Sequence, residues 1–261
     1  MYRLIDRQTH LLRHLTSPAL IFGTSELDSA ARDPELRGMD VGRLRLEAEF
    51  SYNKRMTRIR QTFERTATLL GHGFSALTRD YAAACPPLTY ERYPDAERFF
   101  ERFLAPGVHE QPRPLWTADV AAIELALARA RTLRPAAMET EALAARPQAP
   151  GFWYRAHPCA GLVRCRYDVR ALFEPARSRE PVTERTVHMV VLATRGRRRP
   201  KVLELAPEAF ALLEGSREWR PLEPAGARTD EDEDRRDLIK QLAAQGLALV
   251  SVDDTRDPAQ A

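Results

Sequence analysis

Thr186-Val187-His188-Met189-Val190-Val191-Leu192-Ala193-Thr194 leads into Arg195-Gly196-Arg197-Arg198-Arg199-Pro200. Lys201-Val202-Leu203-Glu204-Leu205 and Ala206-Pro207-Glu208 follow directly. Two short runs rich in Val and Leu, separated by a basic turn holding Gly and Pro, predict a two-stranded hairpin. Valine favours the strand because its branched side chain is stiff and packs well on a pleated surface. Pro207 then falls where a helix can begin, since the first turn leaves its N–H unpaired in any case. Phe210, Leu212 and Leu213 give that helix an apolar side, and Gly215 closes it.

Working outward, Gly161 to Val169 reads as a preceding strand, joined to the hairpin by a polar loop from Glu174 to Glu184. After Gly215 a short turn or helix is expected over Arg217 to Leu222. A final helix is expected from Thr229-Asp230-Glu231-Asp232, which has capping-box spacing and places acids at the positive end of the helix dipole. Leu238, Ile239 and Leu242 form its apolar stripe, Gly246 is its natural terminator, and Leu247 to Val252 returns as a strand. The order β-β-β-α-α-α with a terminal strand is that of a small winged-helix-like domain, expected over residues 152–261.

Upstream, Arg134 to Gly151 is rich in Ala and Pro and reads as a linker, residues 134–151. The chain before it, residues 1–133, reads as a helical domain, so the fold class is α+β. A first helix is expected around Leu4 to Thr16, then an irregular arm from Ser17 to Met39. Val41 to Leu70 has no proline, and Tyr52, Met56, Ile59, Phe63 and Leu70 recur on one stripe, with Lys54, Arg55, Arg58 and Arg60 on the face opposite. Further helices are expected over Phe74 to Ala84, over Tyr93 to Leu104 with its Phe99, Phe100 and Phe103 cluster, and from Trp116 or Thr117 onward.

Composition bounds the function. With 40 basic and 37 acidic residues the net charge is only +3, which argues against a nucleic-acid binder. No apolar stretch approaches the roughly 18 residues of a spanning helix, and the charged start Met1-Tyr2-Arg3 carries no export signal, so a cytoplasmic protein without membrane contact is expected. The three cysteines, Cys85, Cys159 and Cys165, have no metal-ligand spacing. His10 and His14 share a helix face but lack a third ligand, and His157-Pro158-Cys159 matches no zinc pattern. Gly71-His72-Gly73 has no strand before it and reads as a helix cap, not a phosphate loop. No nucleophile elbow and no paired carboxylates stand out. The expectation is therefore no catalytic residue, no metal and no cofactor in this chain, and a function of binding.

The stretch Leu46-Glu47-Ala48-Glu49-Phe50-Ser51-Tyr52-Asn53-Lys54-Arg55-Met56-Thr57-Arg58-Ile59-Arg60-Gln61-Thr62-Phe63 resembles a helix of one family of bacterial accessory proteins. Leu69-Leu70-Gly71, the Phe99-Phe100 and Phe103 helix, and Asp119-Val120-Ala121-Ala122-Ile123-Glu124 are similar to the elements that follow it there. These are the partner subunits of the multinuclear non-haem iron oxidases that modify cysteines in ribosomally made peptides, as in the methanobactin and thiaglutamate pathways. Asp237-Leu238-Ile239-Lys240-Gln241-Leu242-Ala243-Ala244-Gln245-Gly246-Leu247 is similar to the last helix of the PqqD-like peptide-recognition fold. This chain departs from the family in its long Ala/Pro-rich linker and its Ser-Tyr-Asn-Lys version of the helix motif.

The resemblance implies a non-catalytic subunit that forms a heterodimer with the oxidase, binds the leader of a precursor peptide and presents its cysteine-containing core. Iron would reside in the partner enzyme. The leader would add a strand to Lys201, Val202, Leu203, Glu204 and Leu205, beside Arg235, Ile239, Lys240 and Leu242 of the last helix. Tyr52, Asn53, Arg55 and Arg58 would dock on the enzyme. The alternative is a winged-helix DNA-binding regulator using Arg195 to Arg199 as its wing, against which the acidic start of the last helix counts.

Overall fold

The structure, a computed structural model, describes residues 2–18, 34–87, 91–107, 114–149, 151–174, 180–196, 199–222 and 230–253. They form a mixed α+β chain with two three-stranded antiparallel sheets among the described residues. It divides into two compact units, Met1–Leu125 and Ala126–Ala261. No helix among the described residues is long and apolar enough to cross a membrane. Most of the expected irregular arm and the expected capping residue Thr229 lie outside the described residues.

In the first unit the described elements are helical. Helix α1 spans Tyr2–Thr16, and Leu11 and Leu15 pack on Leu36 and on Leu44 of α2, Val41–Thr62. Asp40 caps α2, its carboxylate accepting the N–H of Gly42 at 2.9 Å and of Arg43 at 3.2 Å. The single helix expected to Leu70 is broken at Phe63, whose ψ of 50° lies outside helical values. Helix α3, Glu64–Leu70, restarts there. The restart leaves N–H groups without intrahelical partners. The buried Glu124 takes them up, accepting from Arg65 N at 2.8 Å and from Thr66 N at 3.1 Å and Oγ1 at 2.7 Å. Burial pushes its carboxyl above the ordinary range, and these donors pull it back only in part.

Helices α4, His72–Ala84, and α5, Arg92–Phe99, complete the core with a π-helical turn over Phe100–Leu104. The wider turn lets neighbouring aromatics all meet the core. Phe99 lies edge-on to Phe63 and Phe74, both at 5.7 Å, while Phe100 stacks on Phe63 and Phe103 meets Tyr81. Ile59, Phe63, Tyr81, Phe99 and Leu104 are fully buried, the first two as the helical spacing predicts.

Helix α6, Thr117–Thr132, contains the division between the units. In the second unit, the expected linker holds a helix, α7, Pro135–Ala144. Its prolines are start and stop marks: Pro135 occupies the first turn and Pro147 lies past the end, while Met138 packs on the core and Ala142 is buried.

The strands are β1, Gly151–Ala156; β2, Ala160–Cys165; β3, Val187–Leu192; and β4, Lys201–Leu205. Helix α8, Pro207–Gly215, strand β5, Arg220–Leu222, helix α9, Asp230–Ala244, and strand β6, Ala248–Asp253, follow. Two features correct the expected β-β-β-α-α-α order. Strand β1 precedes the expected first strand, and a strand, not a turn or helix, occupies 220–222. Strand β1 is central in the sheet β5-β1-β6, with Phe152, Tyr154 and Ala156 buried on one face. The hairpin forms as expected: β3 pairs with β4 from His188↔Leu205 to Leu192↔Lys201, and β2 completes the sheet β2-β3-β4.

Gly246, at φ 76°, ends α9. The N–H of Leu247 bonds Leu242 O at 2.8 Å and that of Gly246 bonds Ala243 O at 2.9 Å, the paired bonds of a Schellman motif. The reversal sends the chain straight into β6, which pairs with β1 over six residues. Helix α9 is thereby tied to the β5-β1-β6 sheet, which decides where its side chains go.

Candidate functional site

The expected peptide-binding strand lies at an edge of its sheet. Strand β4 pairs with β3 on one side, and Leu203 and Leu205 share a face with Val190 and His188, the latter tilted against the Phe210 ring at 4.8 Å. Leu205 is buried, Lys201, Val202 and Leu203 are half-buried, and Glu204 is exposed. Val202 and Leu203 pack against a core that includes Leu205, Phe210, Leu213 and Leu242. An edge strand keeps backbone N–H and C=O groups that its own sheet leaves unused, which suits it to receive a further strand.

The second half of the expected groove is arranged differently. Leu242 joins the core beneath β4, but Ile239 is fully buried against Phe152, Tyr154, Leu222 and Val250 of the other sheet. Arg235 hydrogen-bonds the Tyr154 hydroxyl at 3.2 Å, and Arg236 covers the Phe152 ring at 5.2 Å. Lys240 is exposed and pairs with Asp237 at 3.0 Å. So Arg235 and Ile239 gather on β1, not beside β4, because the tight turn at Gly246 draws α9 onto the sheet that receives β6.

Beside β4 the structure places a cluster that sequence reading missed. Asp168 accepts from Arg170 at 2.6 Å and from Arg185 at 2.7 Å, and both guanidinium groups also reach Glu204, Arg185 at 3.0 Å. The bridge between Asp168 and Thr183 brings the two loop ends together. Hydrogen bonds from Arg170 hold the Asp168 carboxyl far below its usual value, outweighing burial, and Arg185 adds to the effect. The only sequence sign was charge alternation over a loop too long for spacing arguments.

The depressed Asp168 carboxyl fixes the sign of a pH effect. Its contribution is present above its unfolded value of 3.8 and is lost as pH falls through and below that value. The second unit is expected to lose thermal stability between about pH 4 and pH 2. Asp168→Asn should melt lower at neutral pH and show a flatter acid limb, read by differential scanning calorimetry. An unchanged acid limb would count against the cluster.

His157 is buried, its Nε2 3.0 Å from Glu139 and its Nδ1 accepting the Cys159 N–H at 3.1 Å. The same Glu139 accepts from Arg195 at 2.7 Å, so the first arginine of the expected wing is tied to α7. Burial raises the Cys159 thiol, reinforced by the Glu139 charge, which disfavours the reactive thiolate. A cavity of about 180 Å³ lies between α6, α7 and the β3–β4 turn, lined by Leu133, Pro135, Thr194 and Pro200. Among the described residues, no three His, Cys, Asp or Glu side chains are placed to hold one metal ion.

No family model matches this chain, and no curated protein matches it.

Of the expected docking residues, Asn53 is exposed while Tyr52 and Arg58 are half-buried. Burial raises the Tyr52 hydroxyl. Arg55 faces inward. It makes a bidentate bond to Asp95, at 2.9 and 2.8 Å, donates to Cys85 O at 2.8 Å, and lies over the Tyr81 ring at 4.5 Å. It corrects the reading of Arg55 as a polar-face residue: it stands four residues before Ile59, on the inward side of α2.

Proposed function

We propose that this protein is a non-catalytic accessory subunit that binds the leader of a ribosomally made precursor peptide and presents its cysteine-containing core to a multinuclear non-haem iron oxidase. The observation that supports this most is β4: an edge strand with half-buried apolar side chains, with Lys201 at its start and the neutralised Asp168–Arg170–Arg185–Glu204 cluster at its end. A leader laid along β4 gains affinity from backbone hydrogen bonds and register from the alternation of Leu203 with Val202 and Glu204. In this reading the second unit is a winged-helix-like peptide-recognition domain with strand β5 in place of its middle helix. The first unit is the helical domain that docks on the enzyme. Holding the core near the oxidase raises effective concentration, and the reacting bond is handled by the partner and its iron.

The test is hydrogen–deuterium exchange on this protein with a candidate precursor peptide and a candidate non-haem iron oxidase drawn from the genes that flank its own. The peptide is expected to protect the amides of Lys201 to Leu205, and Leu203→Asp is expected to weaken leader binding at least tenfold, with its melting temperature measured alongside because Leu203 also packs on the core. Unprotected β4 amides, together with tight, salt-sensitive binding to duplex DNA, would instead make the protein a regulator. Arg195 already weighs against that outcome, because its guanidinium is engaged by Glu139.

A further inference from the structure

The outward side of α2 carries a seam that stands exposed among the described residues. Arg43, Leu46, Phe50, Asn53, Thr57 and Arg60 follow one another at alternating steps of three and four, and all six are exposed. That spacing draws a stripe about 100° wide along a helix and is the pattern by which one helix packs along another. Leu46 is 55% exposed and Phe50 67%, two large apolar side chains one turn apart on the side of α2 away from Leu44, Ala48 and Ile59. Isolated exposed apolar residues are ordinary. A leucine–phenylalanine pair on a packing seam, closed at each end by an arginine, is a surface with a definite complement.

We infer that this seam receives an α-helix of another protein, apolar where it meets Leu46 and Phe50 and carrying carboxylates toward both ends, against Arg43 and Arg60. The two arginines stand 17 residues apart in the sequence, which is about 25 Å along the axis, or roughly five turns. Charge also selects against a second copy of this chain. An antiparallel self-pairing sets Arg43 against Arg60, and a parallel one sets each arginine against its twin, so the seam's end charges oppose self-pairing, although an antiparallel pair would also bring Glu49 near Lys54. The inference rests on the proposed reading, in which the partner is the iron oxidase and not the leader peptide. It replaces the inward-facing Arg55 with Leu46 and Phe50 as the centre of the contact and keeps Asn53 within it.

The test measures affinity for a candidate iron oxidase drawn from the genes that flank its own, and separately for a candidate precursor peptide, by titration calorimetry. Phe50→Glu is expected to weaken enzyme binding at least 30-fold while leaving leader affinity and the melting temperature unchanged. Arg43→Glu combined with Arg60→Glu should weaken it at least tenfold and flatten its salt dependence. Full enzyme affinity in Phe50→Glu overturns this inference and leaves the accessory-subunit reading standing. A wild-type protein that binds neither enzyme nor peptide removes the reading itself. A wild-type dimer that Phe50→Glu dissociates, seen by analytical ultracentrifugation, overturns the inference in favour of self-association.

Discussion

Ile239→Asp is expected to leave the second unit unfolded, and Ile239→Ala to cost it about 2–5 kcal/mol, the range for truncating a buried aliphatic side chain. Ile239 has no exposed surface and fills the space between Phe152, Tyr154 and Leu222 on one sheet. An aspartate there must give up hydration among Phe152, Tyr154 and Leu222, a penalty of several kcal/mol on top of the lost packing, and Arg235 and Arg236 could answer it only by leaving Tyr154 and Phe152. Domains of this size hold only about 5–15 kcal/mol in total. Urea melts followed by the fluorescence of Trp153 and Trp219 read the effect. The contrast is Lys240→Ala, next along the same helix: exposed and paired only with exposed Asp237, it should shift stability by less than about 0.5 kcal/mol. An Ile239→Asp protein that melts like the wild type would show that α9 is not seated on β1. The consequence for function is direct. Loss of peptide binding in an Ile239 variant reports the state of the core, so the peptide-binding hypothesis must be tested on β4.

How far the sequence was legible follows the range of the interactions. Strand β4 matches its expected bounds, and α8 begins at Pro207, because valine stiffness and a proline at the first helical position act within a few residues. Gly246 was readable for the same reason: a Schellman motif is closed by residues within one turn. Strand β1 was not readable, since Gly151 to Ala156 follows a proline-bearing segment and its partners, Leu222 and Val252, lie far along the chain. Strand β5 has three residues, one of them Pro221, and only its place at the edge of a sheet makes that acceptable. Glu124 caps a helix that starts some 60 residues earlier, a distance over which no spacing rule operates. The candidate site divides in the same way: β4 could be placed from local pattern, whereas the Asp168–Arg170–Arg185–Glu204 cluster needed the fold. Arg55 is the instructive miss. Its spacing to Ile59 placed it inward, but its charge suggested the surface, and the decisive facts were Asp95 and Tyr81, contributed by other helices.

Arg55 also carries the second large effect. Arg55→Leu is expected to destabilise the first unit by up to about 3–5 kcal/mol, the range for removing one partner of a buried ion pair, since each side chain of this pair is only 13% exposed. The cost comes chiefly from what is left behind. Asp95, about as buried as Arg55 itself, would keep only the Tyr81 hydroxyl as a donor from this group, at 2.6 Å, and the Cys85 carbonyl would lose its donor. Arg55→Lys should recover only part of the loss, because a single ammonium cannot replace a fork that bonds both Asp95 oxygens and Cys85 O while sitting over the Tyr81 ring. Removing both charges, Arg55→Leu with Asp95→Leu, should cost clearly less than the sum of the single changes, since neither variant then strands a buried charge. Urea melts followed by circular dichroism check all four variants, and single changes within about 0.5 kcal/mol of wild type would show the pair to be peripheral. This stability effect separates two explanations that an enzyme-binding assay alone confuses. If Arg55 touched the partner, its loss would weaken binding at an unchanged melting temperature. Held as it is between Asp95, Tyr81 and Cys85, its loss should weaken binding only to the extent that α2 loses its seat. Phe50→Glu should do the reverse, weakening binding while stability holds, so the two variants on one helix distinguish the scaffold from the contact.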